Sequence, residues 1–171
     1  MTARLSATAL ALVIAAVIIA LGGWWLLGGW VPGQSGGLSA AGDALQRLDP
    51  QVVAGGRTIY QANCASCHGA GGEGAPNWKT RNPDNTLPPP PHDSSGHTWH
   101  HSDGLLYRIV RDGGTIYESP GFKSAMPAWG DRLTHEEIVA AITYLKSLWG
   151  SEERAVQEQM SRDDPFPPGE Q

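Results

Sequence analysis

Two cysteines and a histidine lie within five positions of the chain, at Cys64, Cys67 and His68 in the segment CASCH. Cysteines with this spacing form redox dithiols or disulfides, and together with histidines they bind zinc. The pattern CxxCH is also the local signature of covalent haem attachment, in which both thiols bond the haem and the imidazole binds its iron. We favour haem, because a dithiol motif belongs in a βαβ setting and a zinc site leaves most of the chain unexplained.

If His68 binds a haem iron, a second residue is needed as the other axial ligand. Met126 precedes Pro127, which prevents the chain from continuing as a helix and stiffens the loop that presents the thioether. Met160 lies in a charged segment typical of a solvated helix, so we favour Met126. A His–Met pair raises the reduction potential of haem iron, which predicts a high-potential electron carrier. The rival ligands are histidines, namely His97, His100, His101 and His135.

Residues 82–103 contain four consecutive prolines, which favour a stiff and extended segment, and four of the six histidines of the chain. Imidazole suits copper and zinc, so the alternative function is a haem protein whose histidine-rich loop handles or senses metal. The simpler interpretation is a loop at the edge of the haem. The histidines of this segment are His92, His97, His100 and His101.

The composition limits the classes of partner. The formal net charge is −5, and no broad basic surface is implied, so nucleic acid is not expected as a partner. Twenty-two glycines and thirteen prolines indicate long irregular connections between the regular elements.

Three stretches of the chain have the apolar spacing of amphipathic helices. The first follows Asp49 and Pro50, a residue pair typical of a helix start. The second, DGLLYRIVRDGG, has a cap at Ser102 or Asp103, and the third, LTHEEIVAAITYLKSLW, opens with Thr134 and Glu137 in capping-box spacing. No stretch alternates convincingly like a strand, which predicts an all-α domain with long loops.

The front of the chain is apolar. No charged residue occurs between Arg4 and Asp43, and residues 5–31 include more than the roughly 18 apolar residues that suggest a membrane-spanning helix. Arg4 before the segment and a tryptophan cluster at its far end favour an N-terminus inside and the remainder outside. Residues 32–44 are rich in Gly, Ser and Ala, as in a flexible tether.

Residues 50–150 resemble the class I monohaem c-type cytochromes. The resemblance rests on four elements in order: Gly56 with Tyr60 before the motif, then CASCH, then SAMPAWG with its methionine, and then AAITYLKSLW with Tyr144. In this family the first and last helices cross at the small and aromatic positions that Gly56 and Tyr60 match. The resemblance implies a fold of three to four helices around one covalently bound haem c.

The resemblance also carries expectations about the surroundings of the haem and about partners. The family's acceptor for the ring N–H of the axial histidine is a backbone carbonyl of the loop after the motif, and Pro76 is the matching position. Redox partners such as a quinol-oxidising complex and a terminal oxidase are implied, with no small-molecule substrate and no catalysis.

The sequence therefore predicts a one-electron carrier on the periplasmic side of a respiratory-type membrane. The predicted organisation comprises a single-pass anchor with a cytoplasmic N-terminus (1–31), a flexible linker (32–48), a cytochrome c domain (49–150) and a polar, partly disordered tail (151–171).

Overall fold

The computed structural model describes residues 48–117 and 123–169 of the chain. Within these ranges the regular structure is helical, and the β-type pairing is one isolated bridge between Thr86 and Lys123. The α-helices are α1 (Pro50–Asn63), α2 (Ala65–His68), α3 (Asp103–Asp112), α4 (His135–Ser147) and α5 (Ser151–Ser161), with short 3-10 helices at Thr98–His100 and Gly114–Tyr117. The all-α prediction is confirmed for the described residues.

The predicted helix starts occur where the capping residues placed them. The Asp49 side chain accepts a hydrogen bond from the backbone of Gln51, and Pro50 occupies the first turn of α1. Ser102 accepts from the backbone N–H of Leu105 at the start of α3. Thr134 and Glu137 form the complete capping box of α4. Because a cap satisfies N–H groups that have no helical partner, these local signals fix where each helix begins.

The core lies where α1 packs against α4, next to the CxxCH segment. Gly56 is buried, and a Cβ at this position would collide with the backbone carbonyl of Ala140. One turn later Tyr60 packs on Tyr144, with ring centroids 5.2 Å apart. The crossing expected from Gly56 and Tyr60 is therefore confirmed. Other buried residues of this core are Leu106, Tyr107, Leu133, Ile138, Ile142, Leu145 and Trp149.

The C-terminal segment differs from the expectation of a partly disordered tail. Residues Ser151–Ser161 form α5, in which Gln157 is fully buried, and Phe166 packs against the core beyond it. Polar contacts stabilise this arrangement, because the Gln157 amide donates to the Asp103 carboxylate over 2.7 Å. A pattern of apolar residues does not reveal such contacts, so the domain boundary predicted at residue 150 did not include them.

The predicted anchor (1–31) and the predicted linker up to residue 47 lie outside the described residues. Among the helices of residues 48–117 and 123–169, none combines the length and the apolar character needed to cross a bilayer.

Candidate functional site

The CxxCH segment forms the turn that follows α1. Cys64 ends α1, and the backbone N–H groups of Cys67 and His68 both donate to its carbonyl, over 3.1 and 3.0 Å. This single turn presents all three side chains from one short stretch of backbone. The cysteines are not bonded to each other, with Cys64 half-buried and Cys67 exposed. Burial, with a further contribution from Cys67, raises the pKa of the Cys64 thiol to about 11.

His68 is buried, with 8% of its surface exposed. Its Nδ1 lies 3.0 Å from the carbonyl oxygen of Pro90, and since a carbonyl only accepts, Nδ1 carries the proton. Burial lowers the pKa of His68, and the hydrogen bond to Pro90 acts in the opposite direction. The ring is therefore held as a neutral imidazole whose Nε2 has a lone pair, which is the form that binds a metal ion.

The prediction that Pro76 supplies the acceptor for His68 is wrong. Pro76 is exposed, and the carbonyl that meets Nδ1 belongs to Pro90. The backbone between them explains the change, because Ala75 donates its N–H to the Pro89 carbonyl over 2.9 Å and so aligns the proline run beside the loop after the motif. Proline lacks an N–H, so a proline run offers acceptors only. That property was a usable signal in the sequence.

Met126 lies in a loop whose backbone is tied to the end of α3. Its carbonyl accepts from the N–H of Gly114 over 3.1 Å, and its own N–H donates to the Ser124 hydroxyl over 3.2 Å. Further along, the Trp129 N–H donates to the Val110 carbonyl over 3.0 Å. The Met126 side chain is half-buried, whereas Met160 is 43% exposed on α5. The loop is thus fixed on both sides of Met126, and its pairing with His68 stays a prediction.

The histidine-rich segment does not assemble a metal site in the described part of the chain. His97 stacks on Trp78, with ring centroids 5.5 Å apart, and lies edge-on to His101 at 5.3 Å. In residues 48–117 and 123–169 there is no group of three or more His, Cys, Asp or Glu side chains placed to hold a metal ion. The rival ligand His135 instead has its Nδ1 3.1 Å from the Tyr107 hydroxyl.

The donor set of the CxxCH turn fits a covalently attached haem. Two unpaired thiols and a neutral imidazole are the groups that such a haem requires. A second observation comes from Trp99, the tryptophan of the segment that was interpreted as a loop at the edge of the haem: its indole Nε1 is buried and has no hydrogen-bond partner among the described residues. A buried donor without a partner costs about 1–3 kcal/mol, so it is expected to meet an acceptor such as a carboxylate of a bound group.

Comparison with protein families agrees with this chemistry. Residues 51–145 match the family model described as cytochrome c oxidase, cbb3-type, subunit III. No solved structure matches the chain.

Individual relatives fall into two groups of different length. The cbb3-type cytochrome c oxidase subunit FixP of Sinorhizobium medicae (strain WSM419) is 30% identical over 105 residues, which cover 60% of this chain and 32% of FixP. Cytochrome c-555 of Prosthecochloris aestuarii is 35% identical over 96 residues, or 54% of this chain and 84% of that protein. Cytochrome c6 of Cladophora glomerata is 28% identical over 98 residues, or 57% of this chain and 90% of that protein. The chain thus spans about a third of the length of FixP but most of the two smaller proteins.

Proposed function

We propose that this chain is a membrane-anchored carrier of single electrons with one covalently bound haem c. The chain belongs to the cbb3-type cytochrome c oxidase subunit III family and is a c-type cytochrome. Cys64 and Cys67 would form the thioether bonds, and His68 and Met126 would be the axial ligands of the iron. The observation that carries this proposal is the buried, neutral His68 imidazole, oriented by the Pro90 carbonyl and adjacent in the chain to two unpaired thiols.

The bound haem would supply a one-electron couple between ferric and ferrous iron. The chain's own residues contribute orientation and enclosure. The bond from His68 to Pro90 sets the direction of the imidazole and increases its basicity as a ligand. The hydrogen-bonded loop around Met126 would present a soft thioether to the iron, which would favour the ferrous state and raise the reduction potential. If His68 and Met126 both bind the iron, no small-molecule substrate is expected to bind it.

The cellular setting is part of the same proposal. An anchor at residues 1–31 with a cytoplasmic N-terminus, followed by a linker at 32–48, would keep the haem domain close to the periplasmic face of the membrane. FixP, a relative by name a subunit of a cbb3-type oxidase, supports a terminal oxidase as electron acceptor. A quinol-oxidising complex is the proposed donor. Tethering raises the effective concentration of the domain at such integral partners.

The optical spectrum of the purified, haem-loaded protein tests the proposed ligands. A weak methionine-to-iron charge-transfer band near the red edge of the ferric spectrum is expected. It should disappear in Met126→Ala and persist in the matched control Met160→Ala, because Met160 is exposed on α5. If the band persists in Met126→Ala and is lost only in Met160→Ala, or if the unaltered protein lacks the band, Met126 is not the sixth ligand.

Reduction and reoxidation in membranes test the proposed partners. Membranes that contain a quinol-oxidising complex should reduce the anchored protein, and membranes that contain a cbb3-type oxidase should reoxidise it. A version lacking residues 1–31 should turn over more slowly at equal concentration. Equal rates for both versions would contradict the role of the anchor.

A further inference from the structure

A second imidazole covers the ring face of His68. The ring of His92 stacks on it, with centroids 4.1 Å apart and an angle of 28° between the planes. Tyr60 meets the His92 ring edge-on, at a centroid distance of 6.5 Å. The stack excludes water from one face of the His68 imidazole, and a rotation of that imidazole about its long axis would break it.

The position of His92 is fixed by three hydrogen bonds. Its backbone N–H donates to the Gly72 carbonyl over 2.6 Å, and its carbonyl accepts from the indole Nε1 of Trp149 over 2.7 Å. Its ring Nδ1 lies 2.9 Å from the hydroxyl oxygen of Thr98, a residue that is 5% exposed. The backbone bonds place the residue, and the bond to Thr98 sets the rotation of its ring.

One short segment therefore contacts His68 in two ways. The Pro90 carbonyl accepts from its Nδ1, and the His92 ring, two residues later, lies on its face. Proline fixes φ, so the segment between these two contacts has little freedom to change their relative placement. The hydrogen bond alone fixes where Nδ1 points but permits the ring to rotate about that direction. The stacked ring restricts this remaining rotation.

From this geometry we infer that His92 is a positioning residue that sets the rotation of the axial imidazole of His68 and keeps water from the face that the His92 ring covers. The inference rests on the proposed function, in which His68 binds the haem iron. It has an electrochemical consequence. Water admitted beside the imidazole stabilises the ferric state, which carries the larger positive charge, so loss of the stack lowers the reduction potential.

Substitution of His92 in the haem-loaded protein tests this role. His92→Ala removes the stacked ring, and we expect a lower reduction potential. In electron paramagnetic resonance, we expect the g-values of the low-spin ferric signal to shift and its lines to broaden. His92→Phe keeps a flat ring without the bond to Thr98, and both values should fall between those of His92→Ala and the unaltered protein. The matched control His97→Ala removes a histidine of the same loop that stacks on Trp78, and it should change neither value.

The outcomes separate a positioning role from a structural one. If His92→Ala lowers only the melting temperature and leaves the potential and the g-values unchanged, the inference is overturned. If His92→Ala fails to fold, Thr98→Val decides, because it keeps the His92 side chain and removes the bond that sets the rotation of its ring. Shifted g-values in Thr98→Val support the inference, and unchanged g-values overturn it.

Failure of the proposed function would be recognised separately. It would appear in the unaltered protein as a spectrum without histidine-ligated, covalently bound haem. Failure of the present inference leaves that spectrum intact and removes only the difference between His92→Ala and the control His97→Ala.

Discussion

The crossing of α1 and α4 gives a quantitative test at Gly56. A Cβ added there would lie 2.5 Å from the carbonyl carbon of Ala140, closer still to its oxygen, and 3.1 Å from Cβ of Tyr144. The colliding atoms belong mainly to the backbone of a helix, so no change of side-chain rotamer relieves the contact. The two helices must therefore separate in Gly56→Ala.

Two opposing effects set the size of the change. Replacing a helical glycine by alanine favours the helix by about 1 kcal/mol. Overpacking a tight interface costs about 1–3 kcal/mol, and the upper end applies here because the obstacle is backbone. We therefore expect Gly56→Ala to lower the free energy of unfolding by about 2 kcal/mol.

The neighbouring glycine is a matched control. Gly55 lies in the same helix, but a Cβ at Gly55 would meet nothing within 4 Å. Gly55→Ala should therefore raise the free energy of unfolding by about 0.5–1 kcal/mol. Denaturant unfolding of the haem-loaded protein, extrapolated linearly to water, measures both values. Equal stabilities of Gly55→Ala and Gly56→Ala would refute the close approach of α1 and α4.

Two further predictions concern the polar contacts of the C-terminal segment. The Asp164 carboxylate accepts two hydrogen bonds from Arg108, 2.9 and 3.0 Å long, and one from the Ser102 hydroxyl. The bonds from Arg108, and to a smaller extent the bond from Ser102, lower the pKa of Asp164 to about 2. A carboxylate with a lowered pKa stabilises the folded state above its ordinary pKa near 4, and this contribution is lost as the pH falls through about 2. Because the Asp164 side chain is 37% exposed, solvent screens the interaction, and Asp164→Asn should cost only about 1 kcal/mol at pH 7 and almost nothing at pH 2 in unfolding experiments. A constant difference across that range would contradict the assignment. Lys146 pairs with the largely buried Asp103 at 2.8 Å, and Lys146→Met should destabilise the protein by about 3 kcal/mol because it leaves a carboxylate without its cation. The double variant with Asp103→Asn should lose less than the sum of the single losses, and strict additivity would show that the two groups do not interact.

The parts of the fold that the sequence predicted are those determined by neighbouring residues. Asp49 and Thr134 cap helices through N–H groups two and three positions along the chain, so their effect is visible in a short window. Gly56 and Tyr60 were placed by their distance from Cys64, and the contact with α4 followed from the resemblance to a known family. In each case the signal and its consequence lie on one element or on one shared pattern.

The parts that the sequence did not predict depend on contacts between distant positions. Gln157 is polar and lies in a segment without strong apolar periodicity, yet it is fully buried because Asp103, 54 residues earlier, accepts from its amide. The acceptor for His68 is Pro90 and not the predicted Pro76, because a long loop brings the proline run back to the CxxCH segment. No local pattern identifies Asp103 as the partner of Gln157, and the proline run indicates a segment rich in acceptors without indicating which of its carbonyls meets His68.

The glycine- and proline-rich composition has a more specific role than connecting helices. The His68 bond ends on a main-chain carbonyl, so no side-chain substitution at Pro90 removes the acceptor itself. What a substitution does change is the stiffness of the segment and how closely it can approach. Gly74 permits that approach, because it has a φ of +71° and a Cβ there would lie 2.5 Å from the nitrogen of Pro91. The orientation of the candidate iron ligand thus depends on backbone properties of prolines and a glycine. Residues that the sequence suggests serve only to connect helices therefore position His68.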